Sequence, residues 1–171
     1  MPRLTLIAAL LCLPLAALAA PAHEHGVARL DIVVEAARVT MRLEIPLDSL
    51  LGFERAPRSD AERRQVDTVL GQLRDGGQRF NIDPAAGCRF VHAVLSAPVL
   101  GAGPRRAAEP GEHAEVWVDY EFECRARAGH LAAQLFQPFV RLQRIDGQAV
   151  TPGAQRRFTL RRPAVRVELA P

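Results

Sequence analysis

The chain has 171 residues, 49% of them hydrophobic, which fits one domain with a single modest core. Its 22 basic residues are all arginine, and against 19 acidic residues the net charge is only +3, or about +2 once Arg3 leaves with the leader described below. The arginines are scattered and interleaved with acids, without the clustered basic stripe and stacking aromatics that nucleic-acid binding needs, so that class is excluded.

The chain opens with Met1-Pro2-Arg3, then an apolar run from Leu4 to Leu18 broken only by Thr5 and Pro14, then Ala19-Ala20-Pro21-Ala22. This order of basic start, short apolar stretch and small residues reads as a secretory signal peptide over residues 1–22, with one domain over 23–171. The run is short for a bilayer span of about 20 residues, and no later stretch is apolar enough to cross a membrane. Ala17-x-Ala19 and Ala20-x-Ala22 both satisfy the small-x-small rule, so cleavage is expected after Ala19 or after Ala22. The second cut would make His23 the mature amino terminus.

His23 and His25 lie two residues apart and so share one side of an extended chain, with Glu24 pointing the other way. Neutral imidazole is the commonest side-chain ligand for zinc, copper and nickel. Two histidines do not close a tetrahedral zinc site, so further ligands must come from elsewhere. With His23 as the terminus, its amine, the amides of Glu24 and His25, and the His25 imidazole would form a square-planar nitrogen site suited to Cu(II) or Ni(II). The bland alternative is a frayed, solvated terminus.

Ala28, Leu30, Ile32 and Val34 alternate with exposed-type residues, as do Val39, Met41, Leu43 and Ile45. The pattern predicts an antiparallel hairpin across Glu35-Ala36-Ala37, stopped by Pro46. Residues 47–54 read as a short apolar turn. Ser59 with Glu62 three residues later is a capping box, and Val66, Val69, Leu70 and Leu73 then recur at helical spacing until Gly76-Gly77.

Cys88 opens an apolar strand over Phe90–Val99, and Cys124 closes a strand over 115–125. These are the two cysteines left after the leader, and in an exported protein an even pair predicts a disulfide, the alternative being a two-thiol metal or redox site, which the absence of a C-x-x-C spacing disfavours. Between the strands, residues 100–111 read L-G-A-G-P-R-R-A-A-E-P-G, a surface loop. Glu112 and His113 follow. In the strand itself, His113, Glu115, Trp117, Asp119, Glu121 and Glu123 share one face, expected to be acidic and exposed apart from Trp117. His113 and Glu115 read either as a metal pair or as a solvated edge. His92 reads as a core or edge histidine, and His130 as the start of a short helix-like run. Farther on, Val140–Ile145 reads as a strand, Asp146-Gly147 as a turn, and Phe158–Leu160 and Val165–Leu169 as closing strands. The expected fold class is therefore α+β: one domain, mainly antiparallel sheet, with one amphipathic helix and short helical segments.

No nucleophile elbow, phosphate loop or H-E-x-x-H is present, so an enzyme is not expected. In order along the chain stand A-H-E-H-G at 22–26, L-G-F-E at 51–54, Cys88, E-H-A-E at 112–115, Y-E-F-E-C at 120–124 and L-F at 135–136. This ordered set resembles the family of bacterial exported proteins that includes the zinc-binding protein ZrgA. The resemblance implies a periplasmic location, Zn(II) as the bound ion, a role in zinc uptake or homeostasis, and a metal transporter or envelope protein as partner. Members of that type carry a histidine- and acid-rich tract before the E-H segment. Here arginines stand in its place, so the match leaves His23, His25 and His113 as ligands, with Glu112 and Glu115 as lesser ones. A second class of function is a periplasmic interaction module that docks on such a partner and binds no metal.

Overall fold

A computed structural model of the chain describes residues 24–103 and 114–169. The expected leader, His23, Glu112 and His113 lie outside the described residues. Within them the fold is α+β and mainly antiparallel, as the sequence predicts.

The hairpin forms where alternation demands it. Strands β1 (Val27–Val34) and β2 (Arg38–Pro46) pair antiparallel from Arg29↔Glu44 to Val34↔Val39, and every second side chain is buried. A helical turn, α1 (Leu47–Leu51), follows directly on Pro46, and α2 (Asp60–Arg74) runs from the Ser59 cap. Ser59 Oγ accepts the Glu62 amide at 3.2 Å. Val66, Val69, Leu70 and Leu73 are the buried residues of α2, one stripe at helical spacing, each stabilising by about 1.5–3 kcal/mol on burial. A single turn, α3 (Gly76–Arg79), and a short strand, β3 (Phe80–Ile82), complete this half.

Strand β4 (Arg89–Ser96) and strand β5 (Glu115–Glu123) pair antiparallel, with a register shift between Phe90 and His92. Cys88 and Cys124, just outside the last pair Arg89↔Glu123, are joined by a disulfide. Strand β6 (His130–Ala133) occupies the stretch read as helix-like; the polar–apolar alternation of His130, Leu131, Ala132 and Ala133 suits a half-buried strand.

The C-terminal turn differs from expectation. Strand β7 (Arg144–Thr151) runs straight through Asp146-Gly147, and the chain reverses at Pro152-Gly153 into β8 (Ala154–Leu160). Gly147 is a packing glycine, because a Cβ there would lie 2.0 Å from the Leu30 carbonyl oxygen and 2.5 Å from the Phe158 ring. β7 lies parallel to β1, from Val27↔Arg144 to Val33↔Val150. A three-residue strand, β9 (Arg166–Glu168), pairs with β6.

Two sheets result: six strands in the order β4-β5-β2-β1-β7-β8, and three in the order β3-β6-β9. One continuous core joins the inner side of the large sheet to α2 and the small sheet. Tyr120 ties the layers together: its hydroxyl donates to the Leu73 carbonyl at 2.7 Å, and its ring meets Phe80 edge-on at 5.0 Å. No helix among the described residues is long and apolar enough to cross a membrane.

The face of β5 that the sequence reads as acidic and exposed apart from Trp117 keeps Asp119 and Glu123 about half exposed, and its carboxylates are matched by arginines. Arg42 binds Asp119 through two hydrogen bonds of 2.7 and 3.2 Å, Arg38 meets Glu121 at 3.4 Å, and Arg89 pairs with Glu123. At the other end of the same face Trp117 is buried, as expected, and Glu115, only 3% exposed, is the departure. The strand sits between β4 and β2, so each of its carboxylates faces a neighbouring strand rather than an edge.

Candidate functional site

The chain from Glu24 to Gly26 is bound to the domain by its own backbone. Gly26 has φ +77°, a conformation that favours glycine, and its carbonyl accepts from Gln143 (2.8 Å) and Arg144 (3.0 Å) at the start of β7. Its amide donates to Ser49 Oγ at 2.9 Å, and Ser49 is 1% exposed on α1. The Glu24 carbonyl accepts the Val27 amide at 3.1 Å. Glu24 itself binds the Arg144 guanidinium at 2.6 Å, and Asp146 binds it at 2.8 Å. These two carboxylates, Glu24 foremost, hold Arg144 more firmly protonated. A frayed terminus therefore does not describe residues 24–26.

This anchoring sets the position of His25. Its Nδ1 lies 3.1 Å from Asp48 Oδ2 on α1, while the imidazole remains 72% exposed. A carboxylate at Nδ1 favours the tautomer with the proton on Nδ1, which leaves the lone pair on Nε2.

The second expected segment reaches the same end of the sheet. The Leu47 amide donates to the Ala114 carbonyl at 2.8 Å, and Pro46 stands opposite Glu115 in the β2–β5 register. Glu24 and Glu115 line one small cavity of about 130 Å³ together with Arg29, Glu44, Arg144 and Asp146. Four carboxylates and two guanidiniums thus meet in a cavity that includes Glu24, the residue before His25. Glu115 is neither a solvated edge nor an exposed ligand.

His23, Glu112 and His113 lie outside the described residues, so the three-histidine arrangement is not among the contacts above. Among the described residues no group of three or more His, Cys, Asp or Glu side chains is arranged to hold a metal ion. His92 lies on the edge strand β4, 3.9 Å from Glu121, and His130 lies 3.7 Å from Asp83. Both belong to separate parts of the fold.

Asp48, Ser49 and Arg144 are the site residues that sequence reading missed. The first two stand in L-D-S-L-L-G-F-E, directly before the L-G-F-E segment, which was a usable signal. Nothing local marks Arg144, because its role depends on the parallel pairing of β7 with β1.

A family model described as ZrgA family zinc uptake protein matches residues 22–169. No curated protein matches the chain. The match runs from the alanine before His23, through the anchored Glu24–Gly26 segment and both cysteines, to the end of the small sheet, and the chain belongs to the ZrgA family of zinc uptake proteins.

Proposed function

We propose that the protein is an exported, periplasmic zinc-binding accessory of zinc uptake, which carries one ion at the start of its domain and catalyses no reaction. The observation that carries this reading is the His25–Asp48 contact: a largely exposed imidazole with a carboxylate at Nδ1, on a segment fixed by Gly26. One imidazole does not hold zinc, and about four ligands are needed. His23, two residues earlier, and Glu112 and His113, just before Ala114 in the chain, are the remaining ligands of the proposal. Glu115 is the weakest candidate, since it is only 3% exposed and shares its cavity with two guanidiniums, Arg29 and Arg144, that compete for its carboxylate.

The same contact favours zinc over Cu(II) or Ni(II) at the terminus. A chelate that joins a residue's own amide to its imidazole closes through Nδ1, the shorter path. In His25 that nitrogen faces Asp48. The square-planar site would have to break this contact, whereas a tetrahedral ion can use Nε2 and leave it intact. The bound ion is cargo, passed on to a metal transporter.

Native mass spectrometry of the exported protein with limiting Zn(II) tests the reading and also gives the cleavage point. One zinc on the wild type and none on His23→Ala/His25→Ala is the expected result. No specific zinc at micromolar metal, or unchanged zinc on the double variant, overturns it.

A further inference from the structure

A groove of about 440 Å³ runs between one face of α2 and the turn at residues 138–141. Its floor is apolar: Leu50, Val69 and Phe139 are 7%, 8% and 2% exposed. Val140 stands on its rim at 76% exposure, well above every other exposed large hydrophobic among the described residues. Arg64 and Arg141 complete the rim, and none of the residues lining the groove is acidic. Neither arginine forms an ion pair within 4.0 Å among the described residues, in contrast to Arg38, Arg42 and Arg89 on the open face of the large sheet. Of the polar residues of α2 that line it, Arg64, Thr68 and Gln72 recur every four residues, so the strip extends about 12 Å along the helix.

We propose that this groove is a docking surface for an acidic segment of a protein partner, which inserts one large apolar side chain beside Val140 and places carboxylates against Arg64 and Arg141. Charge complementarity selects the occupant. Two unmatched guanidiniums around an apolar floor repel a basic segment and leave a neutral one without partners for the rim. The groove also adjoins the anchored head of the domain. Leu50 lies on α1 two residues after Asp48, and the Arg141 carbonyl oxygen lies 3.2 Å from where a Cβ on Gly26 would stand. A partner seated here is next to His25. Docking itself does not depend on the zinc reading; only delivery of an ion to that partner does.

The test is an NMR titration of the ¹⁵N-labelled mature protein with a synthetic Glu-rich helical peptide carrying one central Leu. Two control peptides replace Glu by Lys, or Leu by Ser. Saturable shifts centred on residues 64–72 and 138–141, seen with the Glu/Leu peptide and weakened by either replacement, are expected. Arg64→Glu/Arg141→Glu should lower the affinity by about tenfold or more while leaving zinc stoichiometry unchanged. Val140→Ser, an exposed change that spares the fold, should weaken binding without altering its salt dependence. Equal binding of the Lys peptide, shifts centred on Arg156 and Arg157, or unchanged affinity in the double variant would overturn the proposal. So would shifts that depend on protein concentration without peptide, which would assign the groove to a second copy of this chain.

Discussion

His25 Nδ1 and Asp48 Oδ2 lie 3.1 Å apart, across a sequence gap that only the docking of the head onto α1 closes. If His25 binds zinc through Nε2, Asp48 acts one shell out, by orienting the ring and raising its basicity. Losing such a partner typically weakens metal affinity by about 10–100-fold. Asp48→Asn should therefore lower zinc affinity by about that factor in a competition titration against a chromophoric chelator, with the melting temperature nearly unchanged because the contact is largely exposed. An unchanged affinity would remove Asp48, and with it the Nε2 geometry, from the site.

Ser49 makes a different kind of contribution. Its hydroxyl is buried and accepts the Gly26 amide at 2.9 Å. Ser49→Ala leaves that amide without its partner, at a cost of about 1–3 kcal/mol. Hydrogen exchange should show the Gly26 amide losing protection before the β1–β2 ladder does. Loss of protection throughout the domain at once would mean that the head is not a separable unit.

The sequence carried the local order of this fold well and its long-range pairing poorly. The β1–β2 hairpin and the buried stripe of α2 follow from periodicity, since both elements bury one face against neighbours close in the chain. The Asp146-Gly147 turn failed because the same dipeptide serves a close backbone approach to Leu30, which arises only once β7 lies parallel to β1. The ion pairs on the acidic face of β5 were not legible for a related reason: Arg42 and Arg38 come from β2, about 80 residues earlier by the β2–β5 pairing, and no local pattern registers such neutralisation. At the site, His25 was legible as a ligand type. Its partner Asp48 was not, because the contact needs the positive φ of Gly26 and the buried Ser49 hydroxyl together.

The disulfide closes a loop between β4 and β5 with a sequence separation of 36. On the chain-entropy estimate it stabilises the domain by about 4 kcal/mol. Cys88→Ser/Cys124→Ser should lower the unfolding free energy by roughly that amount in urea titrations, with the slope against denaturant rising because the unfolded chain is less constrained. The paired strands on either side of the bridge, Arg89 and Glu123 among them, should still form, so a folded but weaker domain is the expected product. A fully unfolded double variant would mean that the bridge is needed to assemble the β4–β5 pair rather than only to stabilise it.

Glu62 links the cap of α2 to acid stability. Both carboxylate oxygens accept from the Arg55 guanidinium, at 2.8 and 2.9 Å, and Oε2 also accepts the Arg58 amide at 2.6 Å. The capping box is thus displaced by one residue: Glu62 reaches the amide before the Ser59 cap instead of the cap's own. The Arg55 hydrogen bonds first, and the Arg58 amide second, hold the Glu62 carboxyl down at about 2, against an ordinary value of 4.5. A carboxyl depressed in the folded state stabilises fully above its unfolded value, and that contribution disappears as pH falls through the folded one. The stability difference between wild type and Glu62→Gln should therefore be constant above about pH 4.5, shrink below it, and be nearly gone by about pH 2. Thermal melts of both proteins across that range give the comparison. A difference that stays constant down to pH 2 would show that the Arg55–Glu62 pair does not distinguish the folded from the unfolded chain.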